Sequence, residues 1–332
     1  MIRFVILIVG IAVLFVLNLF IGSVSIPCAD VWMVLTGNAD PGSTTSFIVL
    51  GSRLPQAITA LLAGAGLAVS GLMLQTAFRN PLAGPSILGI TSGASLGVAL
   101  VMLLLGGTIV AGNFAWNGYA AIITGAFVGS LSIMGVLLLF STWLKNDLML
   151  LISGIMIGYM TSSAITLLNF SSTAQGVHSY TMWGMGTFNA VSMDRMPLFA
   201  AITCAGILMA VLLIKPLNLL LLGNNYAINL GLNVKSVRNR LLLATGILTA
   251  VITAYCGPVS FIGLAVPHIA RMIFRSDNHR ILLPATLVCG SIVALLCNLI
   301  TVLPESGVIP LNAVTPLIGA PVIIYVIIRR RR

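Results

Sequence analysis

Residues 75–97 read QTAFRNPLAGPSILGITSGASLG and interrupt an otherwise apolar part of the chain. Arg79 and Asn80 are polar, and Pro81 and Pro85 break a helix interior because proline lacks a backbone N–H. Proline does fit the first turn of a helix, and asparagine can cap exposed backbone groups. The stretch therefore predicts the end of one helix, a turn, and the start of the next helix.

The composition indicates that lipid is the solvent around these helices. Of 332 residues, 59% are hydrophobic and 7% are charged, and the mean hydropathy is +1.13. A soluble domain carries about 25% charged residues, and no soluble core could bury so much apolar surface. The apolar runs are continuous rather than alternating, which excludes a transmembrane β-barrel. The sequence predicts an all-α integral membrane protein with the 75–85 turn at a membrane edge.

About ten apolar runs approach the ~20 residues that a helix needs to cross the hydrocarbon core. We expect spans at roughly 3–22, 54–75, 86–106, 116–143, 148–170, 196–214, 241–256, 258–273, 281–303 and 309–328. Gly257 and Pro258 divide the seventh run from the eighth, so these two are either full spans or a re-entrant pair. The first run resembles a signal peptide with only a weak cleavage site, so we keep it as a helix.

The basic residues fix the expected orientation. With the N-terminus inside and ten crossings, 14 of the 16 basic residues fall on the inner side, as the positive-inside rule requires. The outer side keeps Arg53 and Arg195, together with Asp30, Asp40, Asp194 and Glu305. The net charge of +10 is therefore a topology signal and not a nucleic-acid footprint.

Several motifs of other protein classes are missing from the sequence. No ionisable side chain lies near the middle of a span, which disfavours an ion-coupled secondary transporter without excluding it. No GxxxxGK[ST] is present, so ATP would have to be hydrolysed by another polypeptide. The histidines and cysteines have no metal-ligand spacing, and no catalytic constellation can be assembled. We expect a chain that is not an enzyme and binds no cofactor or metal itself.

Small residues indicate a tightly packed bundle. GxxxG pairs occur at 93/97, 125/129 and 154/158, and LLAGAGLAVSG adds further small residues at 61–71. Such pairs let helix backbones approach closely within lipid. A hydroxyl stripe on the fifth span fits either ordinary hydrogen bonding between helices or the lining of a pathway.

The longest inner loop, 215–240, is amphipathic and predicts two short helices broken at Gly223 and Gly231. Its leucines offer apolar contacts, whereas its asparagines and basic residues form a polar side. From the residues alone, this loop is either an interfacial helix on anionic lipid or a docking surface for a cytoplasmic partner.

Three blocks of sequence resemble the FecCD family, the membrane permeases of bacterial ABC importers for iron–siderophores, haem and vitamin B12. The first is RLPQAITALLAGAGLAVSGLMLQTAFRNPLAGPSILGITSGASLG at 53–97, with the pattern N-P-L-A-x-P-x-I-L-G. The second is CGPVSFIGLAVPHIARMIFRSDNHRILLPATLVCG at 256–290. The third, GNNYAINLGLNVKSVRNR at 223–240, is similar to the coupling segment of the family. The resemblance covers the whole chain.

The resemblance implies one transmembrane permease domain over 1–332, an ABC permease bundle of about ten helices. It implies a second permease subunit (a homodimer), two cytoplasmic ATP-binding subunits that hold ATP and Mg²⁺, and an extracytoplasmic substrate-binding protein. The location would be the bacterial inner membrane, with both termini cytoplasmic. The cargo would be a metal chelate, with iron–siderophore first and cobalamin or haem next.

The resemblance also assigns roles to individual residues. The ATPase-coupling residues would be Gly223, Asn225, Ala227, Leu230, Gly231, Lys235, Arg238 and Arg240. The cytoplasmic gate would comprise Lys145, Asn146 and Asp147. The pathway lining would include Ser153, Ser162, Ser163 and Thr166. The docking residues for the binding protein would be Arg53 and Arg195.

Four positions depart from the family pattern. The second arginine of R-x-P-R is Gln56, an aspartate in the ninth span is Asn298, and an arginine four residues later is Val302. A glycine before the last span is replaced by Asn312. These changes leave the docking geometry of the binding protein open. Spans two to five and seven to ten start on opposite sides, which predicts an inverted repeat.

Overall fold

The computed structural model describes residues 2–40, 42–111, 114–144, 147–304 and 307–330. Its helices are α1 (Ile2–Phe20), α2 (Cys28–Leu35), α3 (Thr44–Ser46), α4 (Leu54–Ala77), α5 (Ile90–Ala99), α6 (Tyr119–Trp143), α7 (Asp147–Ser171), α8 (Ala174–Gly184), α9 (Met196–Leu212), α10 (Ile214–Leu221), α11 (Asn224–Asn229), α12 (Val234–Cys256), α13 (Ile262–Phe274), α14 (His279–Val302) and α15 (Leu311–Arg330). Two π-helical segments, Phe47–Arg53 and Leu100–Leu104, lead into α4 and extend α5. A short antiparallel hairpin, β1 (Thr108–Ala111) and β2 (Phe114–Asn117), pairs Thr108 with Asn117.

The predicted bundle of about ten apolar helices is confirmed, but not every one of them is long enough to be a full span. Six helices of the described chain are long and apolar enough to cross a membrane, and α9 with α10 makes a seventh span bent by 49°. Three shorter apolar helices, Ile90–Leu104, Ile262–Phe274 and Leu311–Val326, complete the set of ten. The predicted seventh run, 241–256, is a full helix, since α12 has 23 residues. The eighth is not, because the 13 residues of α13 reach only ~20 Å.

Helix α4 is the centre of the bundle. It is buried along nearly its whole length and packs against α9, α12, α13 and α14. A methyl group on Gly64 would collide with the carbonyl oxygen of Gly290, so these two helices touch through their backbones. Gly97 on α5 meets the carbonyl oxygen of Gly125 on α6 in the same way. Such contacts supply the dispersion attraction that holds helices together in lipid, as the GxxxG pairs predicted.

The packing of the two halves is reciprocal. Helix α5 packs on α6, α7 and α12, whereas α13 packs on α14, α15 and α4. Helix α6 packs on α12, and α14 packs on α4. Helices α5 and α6 of the first half thus pack on α12 of the second half, and their counterparts α13 and α14 pack on α4 of the first half. An inverted repeat produces this exchange.

The structure corrects the sequence-based view of 75–97. Helix α4 ends at Ala77, and the turn at 78–80 lies at the end of the bundle as expected. The chain then folds back between the helices, where Ala83 and Leu88 are fully buried, and α5 begins only at Ile90. The side chain of Asn80 accepts a bond from the backbone N–H of Leu82, which stabilises a turn rather than a helix end.

A second non-helical segment, 257–261, precedes α13. Pro85 of the first segment packs against Gly263, the second residue of α13, so the two breaks meet inside the bundle. A polar side chain is needed to satisfy backbone groups exposed by such a break. Asn312 does this: its Nδ2 donates to the carbonyls of Gly184 (3.0 Å) and Pro258 (2.5 Å), and its Oδ1 accepts from the Ser260 N–H at 3.1 Å.

Candidate functional site

Hydrogen bonds near the helix ends mark the two ends of the bundle. At one end, Arg3 donates to the carbonyl of Ile273 at 2.6 Å and Asn218 bonds Asn278 at 3.0 Å. Most basic residues lie here, and we call this the basic end. At the opposite end, the Tyr119 hydroxyl donates to the carbonyl of Tyr255 at 2.8 Å. This separation agrees with the division of charges that the sequence predicted.

The predicted coupling segment lies at the basic end and is broken where expected. Gly223 has a φ of 108° and separates α10 from α11, and Gly231 has a φ of 84° and follows α11. Ala227 is fully buried and anchors α11. The second of the two short helices was predicted wrongly, because it is not a separate helix: residues 234–240 are the first two turns of the spanning helix α12. Asn233 caps that helix by accepting from the Ser236 N–H.

The exposed side of this segment is apolar. Leu222, Tyr226, Ile228 and Leu230 are each more than half exposed, and we call them the loop surface. Asn225 is exposed beside them. Large apolar side chains outside the spans have no lipid tails to contact. An exposed cluster of this kind marks a surface for a protein partner or a membrane interface.

Two of the predicted coupling residues act within the chain. Arg238 is only 7% exposed, and its guanidinium donates to the hydroxyl of Ser141 at 3.0 Å and to the carbonyl of Ser141 at 2.6 Å. A third bond reaches the carbonyl of Leu144 at 3.2 Å. Lys235 donates to the carbonyl of Thr142 at 3.1 Å. Both residues therefore cap the end of α6, whereas Arg240 is exposed.

These bonds tie the coupling segment to the predicted gate. Lys145 and Asn146 lie outside the described residues, and Asp147 is described only as the first residue of α7. The bonds from Lys235 and Arg238 end on the backbone immediately before the gate. The first turn of α12 is therefore hydrogen-bonded to the last residues of α6.

The predicted pathway residues lie on one helix, α7, at the side of the bundle. Ser162, Ser163 and Thr166 are exposed, and Thr166 donates to the carbonyl of Ser162 at 3.0 Å. Ser153 is half-buried and donates to the carbonyl of Met149 at 2.8 Å. Further exposed side chains continue the same face at helical spacing, namely Met156, Tyr159, Met160, Leu167 and Phe170. We call this surface the α7 face. It mixes hydroxyl, thioether and aromatic groups.

The two predicted docking residues differ in exposure. Arg53 is 4% exposed, and its guanidinium donates to the carbonyls of Leu19, Phe20 and Val24 at 3.0, 2.8 and 2.5 Å. It closes the end of α1 and does not face outward, so the structure does not place Arg53 on the predicted docking surface. Arg195 is partly exposed and lies 4.5 Å from the ring centre of Tyr119, a cation–π contact.

A cluster of three amides joins α1, α4 and α14, and sequence reasoning missed it. Gln56 Nε2 donates to Asn298 Oδ1 at 3.0 Å, and Asn298 Nδ2 donates to Asn18 Oδ1 at 2.7 Å. Asn18 Nδ2 reaches the carbonyls of Leu14 and Leu295. Two of the positions that depart from the family pattern are thus hydrogen-bonded to each other. Asn298 and Val302 are buried, whereas Gln56 is partly exposed.

Comparisons with known proteins extend over nearly the whole chain. A family model described as the FecCD transport family matches residues 10–329. The hemin transport system permease protein HmuU of Yersinia pestis is 33% identical over 315 residues, which is 93% of this chain and 90% of the relative. The vitamin B12 import system permease protein BtuC of Citrobacter koseri is 36% identical over 282 residues, 84% of this chain and 82% of the relative.

Solved structures share the fold. An inward-facing metal-chelate type ABC transporter superposes with a TM-score of 0.84 at 29% identity and covers 99% of both chains. PsaBC from Streptococcus pneumoniae gives a TM-score of 0.53 at 15% identity, over 82% of this chain and 90% of that one. The second likeness concerns the fold alone. The first likeness covers nearly the whole length of both chains.

Proposed function

The chain belongs to the FecCD transport family, and from that premise we propose how its surfaces serve an ATP-driven importer. It is the membrane-spanning permease subunit of an ATP-binding-cassette importer. ATP and Mg²⁺ would be held by separate cytoplasmic ATPase subunits, two per complex, and this chain would bind no cofactor. The complex would lie in a bacterial inner membrane, with the basic end and both termini in the cytoplasm.

The loop surface is the observation that carries the ATPase assignment. Tyr226 is 68% exposed on a six-residue helix held by two glycine breaks and one buried alanine. Tyrosine is enriched among the residues that dominate binding energy at protein interfaces. Closure of the ATPase subunits on ATP would displace α11. Lys235 and Arg238 would carry that displacement to the backbone before the gate.

The α7 face would line the substrate pathway between two copies of this chain. Exposed methionine and aromatic side chains offer weak, adaptable contacts to a large ligand, and the serine and threonine hydroxyls offer hydrogen bonds. Alternating access requires such weak binding, since the cargo must leave as readily as it enters. The cargo would be a metal chelate, with iron–siderophore first and cobalamin or haem next. Relatives are named for hemin and for vitamin B12.

The end opposite the basic end would receive an extracytoplasmic binding protein. Arg195 is the partly exposed basic candidate there, beside exposed Asp194. Asp30 lies in the first turn of the outer helix α2, which sequence reasoning did not anticipate. This surface offers acids as well as one arginine, so its partner would need basic side chains in addition to acidic ones.

The test of the ATPase assignment is copurification. Tyr226→Asp places a charge within the loop surface and should reduce the copurified ATPase at least ten-fold, because an unpaired charge would be buried on docking. Trp32→Asp is the matched control, since Trp32 is 62% exposed on α2 at the opposite end. Full ATPase recovery with Tyr226→Asp would contradict the assignment. Loss with both variants would mean that the complex is merely unstable.

A further inference from the structure

A large cavity lies at the basic end and has no part in the function proposed above. Its volume is about 880 Å³, and it opens among the end of α4, the end of α10, α13 and α15. Its polar lining comprises Gln75, Arg79, His268, Arg271, Arg275 and Asp277. Three guanidinium groups and one carboxylate face this space, which leaves an excess of two positive charges.

The guanidinium groups of the three arginines differ in their contacts. Arg271 is held in place, because its guanidinium donates to Gln75 Oε1 at 2.7 Å and lies 3.4 Å from Asp277 Oδ1. Arg79 and Arg275 are exposed, and their guanidinium groups make no hydrogen bond or ion pair with the residues that the structure describes. Two cations that share one cavity repel each other, and an anion between them would remove that repulsion.

Both exposed arginines stand where the backbone favours glycine. Arg79 has a φ of 44° and occupies the left-handed position of a Schellman motif, in which its N–H bonds Thr76 and the N–H of Asn80 bonds Gln75. Arg275 has a φ of 51° and ends α13 in the same conformation. Glycine would close either helix without strain. Two strained arginines facing one cavity indicate that the charge itself is used.

An apolar groove continues from this cavity along the side of the bundle. It has a volume of about 360 Å³ between α13 and α15 and is lined by Ile269, Met272, Ile273, Pro321, Val322 and Tyr325. Met272 and Tyr325 line both spaces. On α13 the groove runs from Met272 back towards Ile269, away from the basic end. A cationic cavity at the basic end thus opens into an apolar groove on the side of the bundle.

We propose that the cavity and the groove together bind an anionic phospholipid. The headgroup phosphate lies between Arg79 and Arg275, and one acyl chain lies along Ile269 and Val322. Arginine is well suited to phosphate because its planar donors match two phosphate oxygens at once. Basic pockets between spanning helices on the cytoplasmic side are a recurring form of lipid recognition. A free phosphate would use the cavity but not the groove.

The bound headgroup would sit beside the coupling segment. The guanidinium of Arg79 lies next to Gly223, since a Cβ on that glycine would be 3.7 Å from its Nη2. Gly223 is the break between α10 and α11. Occupation of the cavity therefore restrains the break that carries the loop surface. In this way an anionic membrane would support the permease–ATPase contact.

The test measures retained lipid by native mass spectrometry on the complete complex, extracted from mixed phosphatidylglycerol and phosphatidylcholine. The wild type should retain phosphatidylglycerol at least ten-fold over phosphatidylcholine. Arg79→Asn with Arg275→Asn should reduce that preference at least five-fold, and asparagine tolerates the left-handed conformation. The control, Lys215→Asn with Arg280→Asn, removes the same charge from exposed positions at the same end and should keep the preference.

A second pair of variants separates lipid from free phosphate. Val322→Trp fills the groove and should reduce phosphatidylglycerol retention at least three-fold, whereas Ile324→Trp, on the exposed side of the same helix, should not. Displacement of phosphatidylglycerol by millimolar inorganic phosphate, with no effect of Val322→Trp, would overturn the lipid assignment. Unchanged lipid preference in the double arginine variant would also overturn it. If that variant lost its ATPase while it kept the preference for phosphatidylglycerol, the cavity would belong to the ATPase contact and the lipid assignment would be wrong.

Discussion

Asn298→Asp should destabilise the protein, and Gln56→Arg added to it should restore much of the loss. Asn298 is 3% exposed and bonded on both sides, as acceptor from Gln56 and as donor to Asn18. An aspartate keeps the bond from Gln56. It loses the donor, however, and places an oxygen 2.7 Å from Asn18 Oδ1, which is also an acceptor.

The size of the effect follows from these contacts. A lost hydrogen bond with a buried acceptor left unsatisfied costs about 1–3 kcal/mol. A buried charge without its partner costs about 3–5 kcal/mol. We therefore expect Asn298→Asp to lower the free energy of unfolding by about 3 kcal/mol. An arginine at 56 supplies the missing cation and recreates the residues of the family pattern at both positions.

The assay is a double-mutant cycle on the protein in mixed micelles, with unfolding by a denaturing detergent followed by tryptophan fluorescence. Both single variants should be less stable than the wild type, because Asn298→Asp buries an unpaired charge and Gln56→Arg places an unpaired cation beside the amide of Asn298. The double variant should be more stable than the sum of the single losses predicts, by at least about 1.5 kcal/mol. That coupling energy reports the direct contact between positions 56 and 298.

Additive losses in the cycle would refute the reasoning, since additivity is expected of residues that do not touch. A single Asn298→Asp variant as stable as the wild type would refute it too. That result would mean that position 298 is open to water and that the three amides are not a buried cluster.

Two further substitutions test the packing with the same unfolding assay. Gly97→Val places side-chain atoms against the Gly125 backbone and should cost about 1–3 kcal/mol, whereas Gly135→Ala has open space and should change stability by less than about 1 kcal/mol. An equal effect of the two would show that α5 and α6 are not in backbone contact. Arg53→Met leaves the end of α1 without its donor and should cost about 2 kcal/mol. Arg240→Met, at an exposed position, is its control, and equal stability of the two would contradict the capping role.

Much of the fold could be predicted from the sequence because lipid imposes strong rules on composition. A run of apolar residues must be a helix, and arginines between such runs mark the inner side. These rules gave ten spans and the two ends of the bundle. They could not find the re-entrant course of 81–89, because a buried turn in this segment is as apolar as a helix. They also could not find α2 and α8, which lie outside the spans.

The candidate site was predicted in part. Glycines at 223 and 231 marked the real breaks, because glycine is needed at a positive φ. The burial of a side chain could not be predicted from the sequence. Arg53 and Arg238 were therefore expected to contact partner proteins, although each caps a helix of this chain. The contact between Gln56 and Asn298 joins residues 242 apart in sequence. No local pattern signals such a pair, and the sequence related these two positions only to the docking of the binding protein.

The most direct test of the central claim is uptake into liposomes that contain this chain and its cognate ATPase. ATP would be enclosed within, binding protein added outside, and labelled ferric siderophore, haemin and cobalamin offered in parallel. We expect ATP-dependent accumulation of one chelate by the wild type and its loss with Tyr226→Asp. Accumulation driven by an imposed ion gradient without ATP would contradict the account.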